Sequence, residues 1–176
     1  MRSYYQSLRA ALPGVAIHYA VKALPEPAVL GTLREEGSNF DVASIGEVEL
    51  LREHGIPAER MIHTHPIKSQ SDIQAALAHG CRTFVFDNVD ELEKFKPHRE
   101  RVELILRIGF RNADATVDLS KKFGVPPADA LALLELARRA GLRTVGLSFH
   151  VGSQCANSRA HVSAIETCKA LIAAIA

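Results

Sequence analysis

Tryptophan is absent from the 176 residues, methionine occurs twice and cysteine three times. The cysteines, Cys81, Cys155 and Cys168, are odd in number and show no CxxC spacing. A disulfide framework and a thiolate zinc site are both disfavoured, and buried or idle thiols are expected instead. Neither sign of charge is in excess: 21 Lys and Arg stand against 20 Asp and Glu, for a net charge of +1. That balance leaves no electrostatic footprint for nucleic acid or an anionic membrane. No apolar run approaches the roughly 20 residues that span a bilayer. The opening MRSYYQSLRAALPG lacks the apolar centre of a signal peptide. His54, His63, His65 and His79 form no HExxH and have no carboxylate pattern beside them, so no metal site is expected. What remains is ordinary globular composition, 47% hydrophobic and 23% charged, enough for one domain with a core. It suits a cytoplasmic enzyme.

Short apolar runs alternate with amphipathic stretches along the whole chain. Strand-like runs are Val15 to Val21, Asn39 to Ala43, Met61 to Thr64, Thr83 to Asp87, Val102 to Ile108 and Thr144 to Val151. Helix-like segments are Glu26 to Glu36, Ile45 to His54, Ser69 to His79, Val89 to Phe95, Pro127 to Ala140 and Ala156 to Ala176. Ser44 and Ser69 stand as N-caps, and Gly37, Gly55, Gly80 and Gly141 close helices. This alternation predicts a parallel sheet of right-handed βαβ units. No GxGxxG follows the first strand, which removes the dinucleotide-binding signal. Polar residues instead sit at downstream strand ends: Lys22, Asp41, His63, Arg107 and His150. In a (β/α)8 barrel those ends line one active-site face. Six strands fall two βα units short of the eight, and about 250 residues, of a full barrel. An incomplete barrel is therefore expected. A complete six-stranded α/β domain is the alternative, and it would have sheet edges to cover.

Lys22 interrupts the otherwise apolar AIHYAVKAL, save for His18. It either emerges at the strand end and reaches water, or is a desolvated amine suited to Schiff-base chemistry. The strings YAVKALPEPAVLGTLREEGSNFDVASIGE, ERMIHTHPIKS, LILRIGF, LSKKFGV and SFHVGSQC are, in order and spacing, similar to the ornithine, lysine, arginine and diaminopimelate decarboxylases. The chain thus resembles the barrel half of a fold-type III pyridoxal-phosphate decarboxylase.

The resemblance implies an alanine-racemase-like TIM barrel with about six of its βα units here. Residues 1–176 would form a single partial pyridoxal phosphate-binding domain, with the last barrel units and a C-terminal β-domain absent. It implies pyridoxal 5'-phosphate as cofactor, an amino acid as substrate and a homodimer. Lys22 matches the cofactor lysine, His150 the histidine against the ring face and Ser153 the phosphate-binding serine. Asp41 and Glu47 match acidic positions near the lysine; for Glu47 a plain helix-start charge serves equally well. Arg107 matches an arginine near the cofactor, and as a buried cation it needs partners. Lys122 matches a lysine at the dimer interface and active-site rim. One departure is His65-Pro66, where the family commonly carries Asn-Pro.

The compact NADATVDLSKKFGV stretch is closer to ornithine-type than to diaminopimelate enzymes. α-Decarboxylation of ornithine, or of lysine and ornithine, in polyamine biosynthesis is expected, with the 176-residue piece alone inactive. Diaminopimelate or arginine decarboxylases, and decarboxylase-like regulators that no longer catalyse, are the alternatives. Alanine racemases and small cofactor-carrier proteins of similar barrel fit the HVGSQ and KKFG strings less well.

Overall fold

The computed structural model describes residues 1–112 and 115–175. The architecture is an incomplete (β/α) barrel: six parallel strands in chain order, each followed by a helix. The chain divides into two compact units, Met1–Phe84 and Val85–Ala176.

The first unit holds α1 (Arg2–Ala11), β1 (His18–Ala20), α2 (Pro27–Glu35), β2 (Asn39–Val42), α3 (Ile45–Glu53), β3 (Met61–His63), α4 (Gln70–Ala78) and the start of β4 (Thr83–Phe86). Its strands pair in parallel, with Ala20 opposite Asp41, Asp41 opposite Ile62 and His63 opposite Phe84. Phe40, Val42 and Phe84 are fully buried, as are Leu30, Val48, Leu51 and Ile73 from the helices. Both predicted serine caps are present. The Ser44 hydroxyl accepts from the Glu47 N–H, and Ser69 with Asp72 forms a complete capping box. The helix α1 was not expected from the sequence; Arg2 tethers it to Glu35 and Glu36, and Gln6 to Glu36.

The second unit holds the end of β4, then α5 (Val89–Phe95), β5 (Glu103–Gly109), α6 (Pro127–Arg139), β6 (Thr144–His150) and α7 (Ser158–Ile175). Along β5 burial alternates with the period of a strand. Leu104, Leu106 and Ile108 are fully buried, and Glu103, Ile105, Arg107 and Gly109 are half-buried on the other face. β6 lies parallel to β5 with a bulge: Leu104 pairs with Thr144 and the next residue, Ile105, with Gly146. From there Arg107 stands opposite Ser148 and Gly109 opposite His150.

The three thiols are free, and Cys81 and Cys168 are buried. Burial pushes the Cys81 thiol up to about 11, which leaves it inert. Among the described residues no helix is long and apolar enough to cross a membrane.

The KFG glycine has a packing cause. Gly124 has φ +94°, and a Cβ there would meet the Gly109 amide nitrogen at 2.6 Å. The Gly124 N–H donates to Asp87 Oδ2 at 2.7 Å, and Gly109 N–H to the Val125 carbonyl at 2.8 Å. Backbone thus lies directly on backbone. Gly124→Ala is expected to lower stability by about 2 kcal/mol or more, through the strained φ and the clash. Urea denaturation of the chain checks this; an unchanged midpoint would mean that the segment yields.

Candidate active site

The first set of candidates belongs to the first unit. β1 ends at Ala20, and the chain turns through a 3-10 segment, Val21–Ala23, before Leu24 takes the extended conformation that a following proline favours. Val21 is buried and Lys22 is exposed. The Lys22 amine has no hydrogen bond or ion pair among the described residues. Asp41 lies on the neighbouring strand in register with Ala20, half-buried, and accepts a hydrogen bond from the Thr64 hydroxyl. Glu47 Oε2 accepts from the Ala43 N–H at 2.8 Å while its own N–H donates to Ser44. It serves the start of α3.

His63, the last residue of β3, is 1% exposed and stacks on Phe84 at 5.8 Å. Its Nδ1 has no hydrogen-bond partner among the described residues. Burial first, then the charges of Lys68 and His65, hold its pKa down at about 4. Its place at a strand end is therefore a core position, not a site position. His65 closes the following turn: its Nδ1 lies 2.7 Å from the Ile67 carbonyl oxygen and 3.1 Å from the Ile67 nitrogen.

The second set lies in the second unit. Arg107 is only half-buried, and its guanidinium lies 5.3 Å from the Phe123 ring centroid, so an aromatic face supplies part of what a cation needs. His150 ends β6, exposed, and its Nδ1 accepts from the Gly152 N–H at 2.9 Å. With Nδ1 as the acceptor, the ring carries a proton on Nε2. Gly152 has φ +98°, and a Cβ there would meet Ala115 Cβ at 2.3 Å. The backbone of Ser153 is pinned on both sides, donating to Val117 and accepting from Thr116. Its hydroxyl has no partner among the described residues. Lys122 is exposed.

In the first unit Lys22 offers a free amine, and in the second Ser153 offers a free hydroxyl on a tightly held glycine turn. An amine and a hydroxyl are groups of the kind that pyridoxal phosphate takes. The residues fit the group.

Residues 1–176 match the model of the pyridoxal binding domain of pyridoxal-dependent decarboxylases. The chain belongs to this family. Among curated relatives, a lysine/ornithine decarboxylase of Selenomonas ruminantium is 42% identical over 92% of this chain and 41% of its own length. Antizyme inhibitor 2 of Xenopus laevis is 38% identical over 94% of this chain and 36% of its own. The crystal structure of a Vibrio vulnificus lysine/ornithine decarboxylase complexed with putrescine superposes with a TM-score of 0.91. It shares 49% identity over 99% of this chain and 46% of that one. The chain thus spans about two fifths of the curated decarboxylase's length.

Three supporting residues escaped the sequence reading. Lys68 is 3% exposed, and its amine donates to the carbonyls of His65, at 2.7 Å, and Pro66, at 3.3 Å. Buried Asn112 donates to the Val151 carbonyl at 2.6 Å and to Cys155 Sγ at 3.1 Å, pinning the HVGSQC turn at both ends. Thr64 carries the bond to Asp41. Only Thr64, a hydroxyl immediately after a strand, left any signal in the pattern.

His63 makes acid stability measurable. Its folded pKa lies below the ordinary 6.5, so the unfolded chain takes up the proton first as pH falls. Its contribution is intact above pH 6.5 and is lost between there and about 4. At about 1.4 kcal/mol per pH unit that loss amounts to about 3 kcal/mol. His63→Phe is expected to flatten the stability profile across this window in urea titrations at several pH values. A profile as steep as that of the parent would assign the acid sensitivity elsewhere.

Proposed function

We propose that the protein carrying this chain removes the α-carboxyl group of lysine or ornithine as CO2 and releases the diamine. The observation that carries the reading is the pair of free groups, the Lys22 amine and the Ser153 hydroxyl, on a chain whose relatives include lysine/ornithine decarboxylases. Bound pyridoxal phosphate supplies the electron sink for the pair of electrons left when the carboxylate departs.

The chain's own residues do the rest. Lys22 would hold the cofactor through its amine, and the same nitrogen, when free, would carry a proton. Asp41, one strand away, orients that ammonium. His150 lays its imidazole against the cofactor ring, and the Gly152 N–H on Nδ1 keeps the imidazole from rotating. An imidazole so held would keep the cofactor ring in one orientation. Ser153 donates its hydroxyl to the phosphate, and Arg107 adds a positive charge for an anionic group. The whole protein acts as a homodimer in the cytoplasm, within polyamine biosynthesis.

A non-catalytic regulator is the second reading, favoured by the likeness to antizyme inhibitor 2. Against it stands the presence of Lys22, His150 and Ser153 together.

Borohydride treatment of the pyridoxal phosphate-loaded protein, followed by peptide mapping, is expected to place the label on Lys22. CO2 release from ornithine and lysine should vanish in Lys22→Ala. A label on another lysine, or turnover by Lys22→Ala, would overturn the assignment. His150→Ala should slow decarboxylation more than it weakens cofactor binding. Ser153→Ala should do the reverse, losing a charge-assisted hydrogen bond of roughly 1.5–3 kcal/mol. Cofactor titrations and single-turnover rates separate the two.

A further inference from the structure

We propose that Thr64 is a positioning residue for Asp41, and that the buried Lys68 amine seats it. The proposal rests on the reading of Asp41 as the acid that orients the Lys22 nitrogen.

The first unit contains all the parts. Thr64 follows the last residue of β3 and continues its course, because its N–H donates to the Val42 carbonyl of β2 at 2.9 Å. That backbone bond fixes where the side chain begins, and the hydroxyl then donates to Asp41 Oδ1. A carboxylate that accepts from a hydroxyl on fixed backbone loses its rotation about the Cβ–Cγ bond. Asp41 is itself fixed, in register with Ala20 on one side and Ile62 on the other. Ala20 lies two residues before Lys22. The carboxylate is thus held on the strand next to the one that delivers the amine.

What keeps Thr64 in place is the turn after it. Removing an ammonium from water is costly unless acceptors replace the water. The Lys68 amine, almost wholly buried, has the carbonyls of His65 and Pro66 as acceptors. Both belong to the two residues directly following Thr64. His65 completes the turn through the contacts of its Nδ1 with the Ile67 backbone. A lysine so placed stabilises the turn that follows Thr64. Val42, buried beside Asp41, cannot substitute, and Glu47 is engaged with the Ala43 N–H.

The test uses the protein loaded with pyridoxal phosphate, and reads the fraction that absorbs in the visible as the protonated Lys22 linkage at fixed neutral pH. Thr64→Val, which keeps the shape and loses the hydroxyl, is expected to reduce that fraction roughly threefold. Thr64→Ser, which keeps the hydroxyl, is expected to restore it. Asp41→Asn should reduce it as well, and Thr64→Val added to Asp41→Asn should change nothing further. A reduction by Asp41→Asn without one by Thr64→Val would overturn the role of Thr64 and leave that of Asp41 standing. No change in Asp41→Asn would remove the Asp41 reading, and the proposal with it. Equal loss in the Val and Ser variants would mark Thr64 as merely structural and overturn the proposal. Lys68→Met, read by the same band, is expected to follow Thr64→Val; parent-like absorbance would refute the seating by Lys68.

Discussion

Everything functional in this chain depends on the register of its parallel strands. Side chains opposite one another on neighbouring parallel strands share a face, and successive residues alternate between faces. One face of β5 must therefore be apolar at Leu104, Leu106 and Ile108, where helices cover it. The other is free for Arg107, and through the pairing it is also the face of Ser148 and His150. In the first unit the same rule sets Asp41 beside Ala20, and so near the turn that carries Lys22. The site chemistry is sparse because only strand ends and the turns after them escape the packing requirement.

The elements themselves were legible because each announces its ends. Ser44 and Ser69 cap where expected, and positive φ angles occur at Gly37, Gly55, Gly80 and Gly141. The fifth helix spans Val89–Phe95 as read. The first strand, His18–Ala20, is shorter than its apolar run at both ends, and Val21 already begins the 3-10 turn that carries Lys22. The helix α1 was hidden by its composition: its stabilising partners Glu35 and Glu36 lie more than thirty residues away. His63 shows the limit of strand-end reasoning, since spacing alone does not distinguish a polar end from a core aromatic stacked on Phe84. Lys68 and Asn112 were invisible for a related reason. Their roles are bonds to backbone carbonyls, which no residue pattern records.

The glycines of the KFG and HVGSQ strings serve packing first. Gly124 lets two stretches of backbone touch, and Gly152 leaves room for Ala115. Both sit in positive-φ backbone, so the strings that identify the family are in part the trace of tight turns. Chemistry is then carried by their neighbours. The likeness to an antizyme inhibitor accords with this separation, since a family can keep the scaffold strings whatever its members do with them.

The bulge at the start of β6 has the effect of a frameshift within a strand. Thr144 pairs with Leu104, Val145 is passed over, and Gly146 pairs with Ile105. Beyond that point the even-numbered residues of β6 exchange sides. Were Val145 itself paired with Ile105, Phe149 would fall opposite Gly109, and His150 would move to the side of Leu104, Leu106 and Ile108. The orientation of the histidine is thus counted out six residues upstream. It is a matter of chain length between two hydrogen bonds, and Val145, 42% exposed, contributes by its presence more than by its side chain.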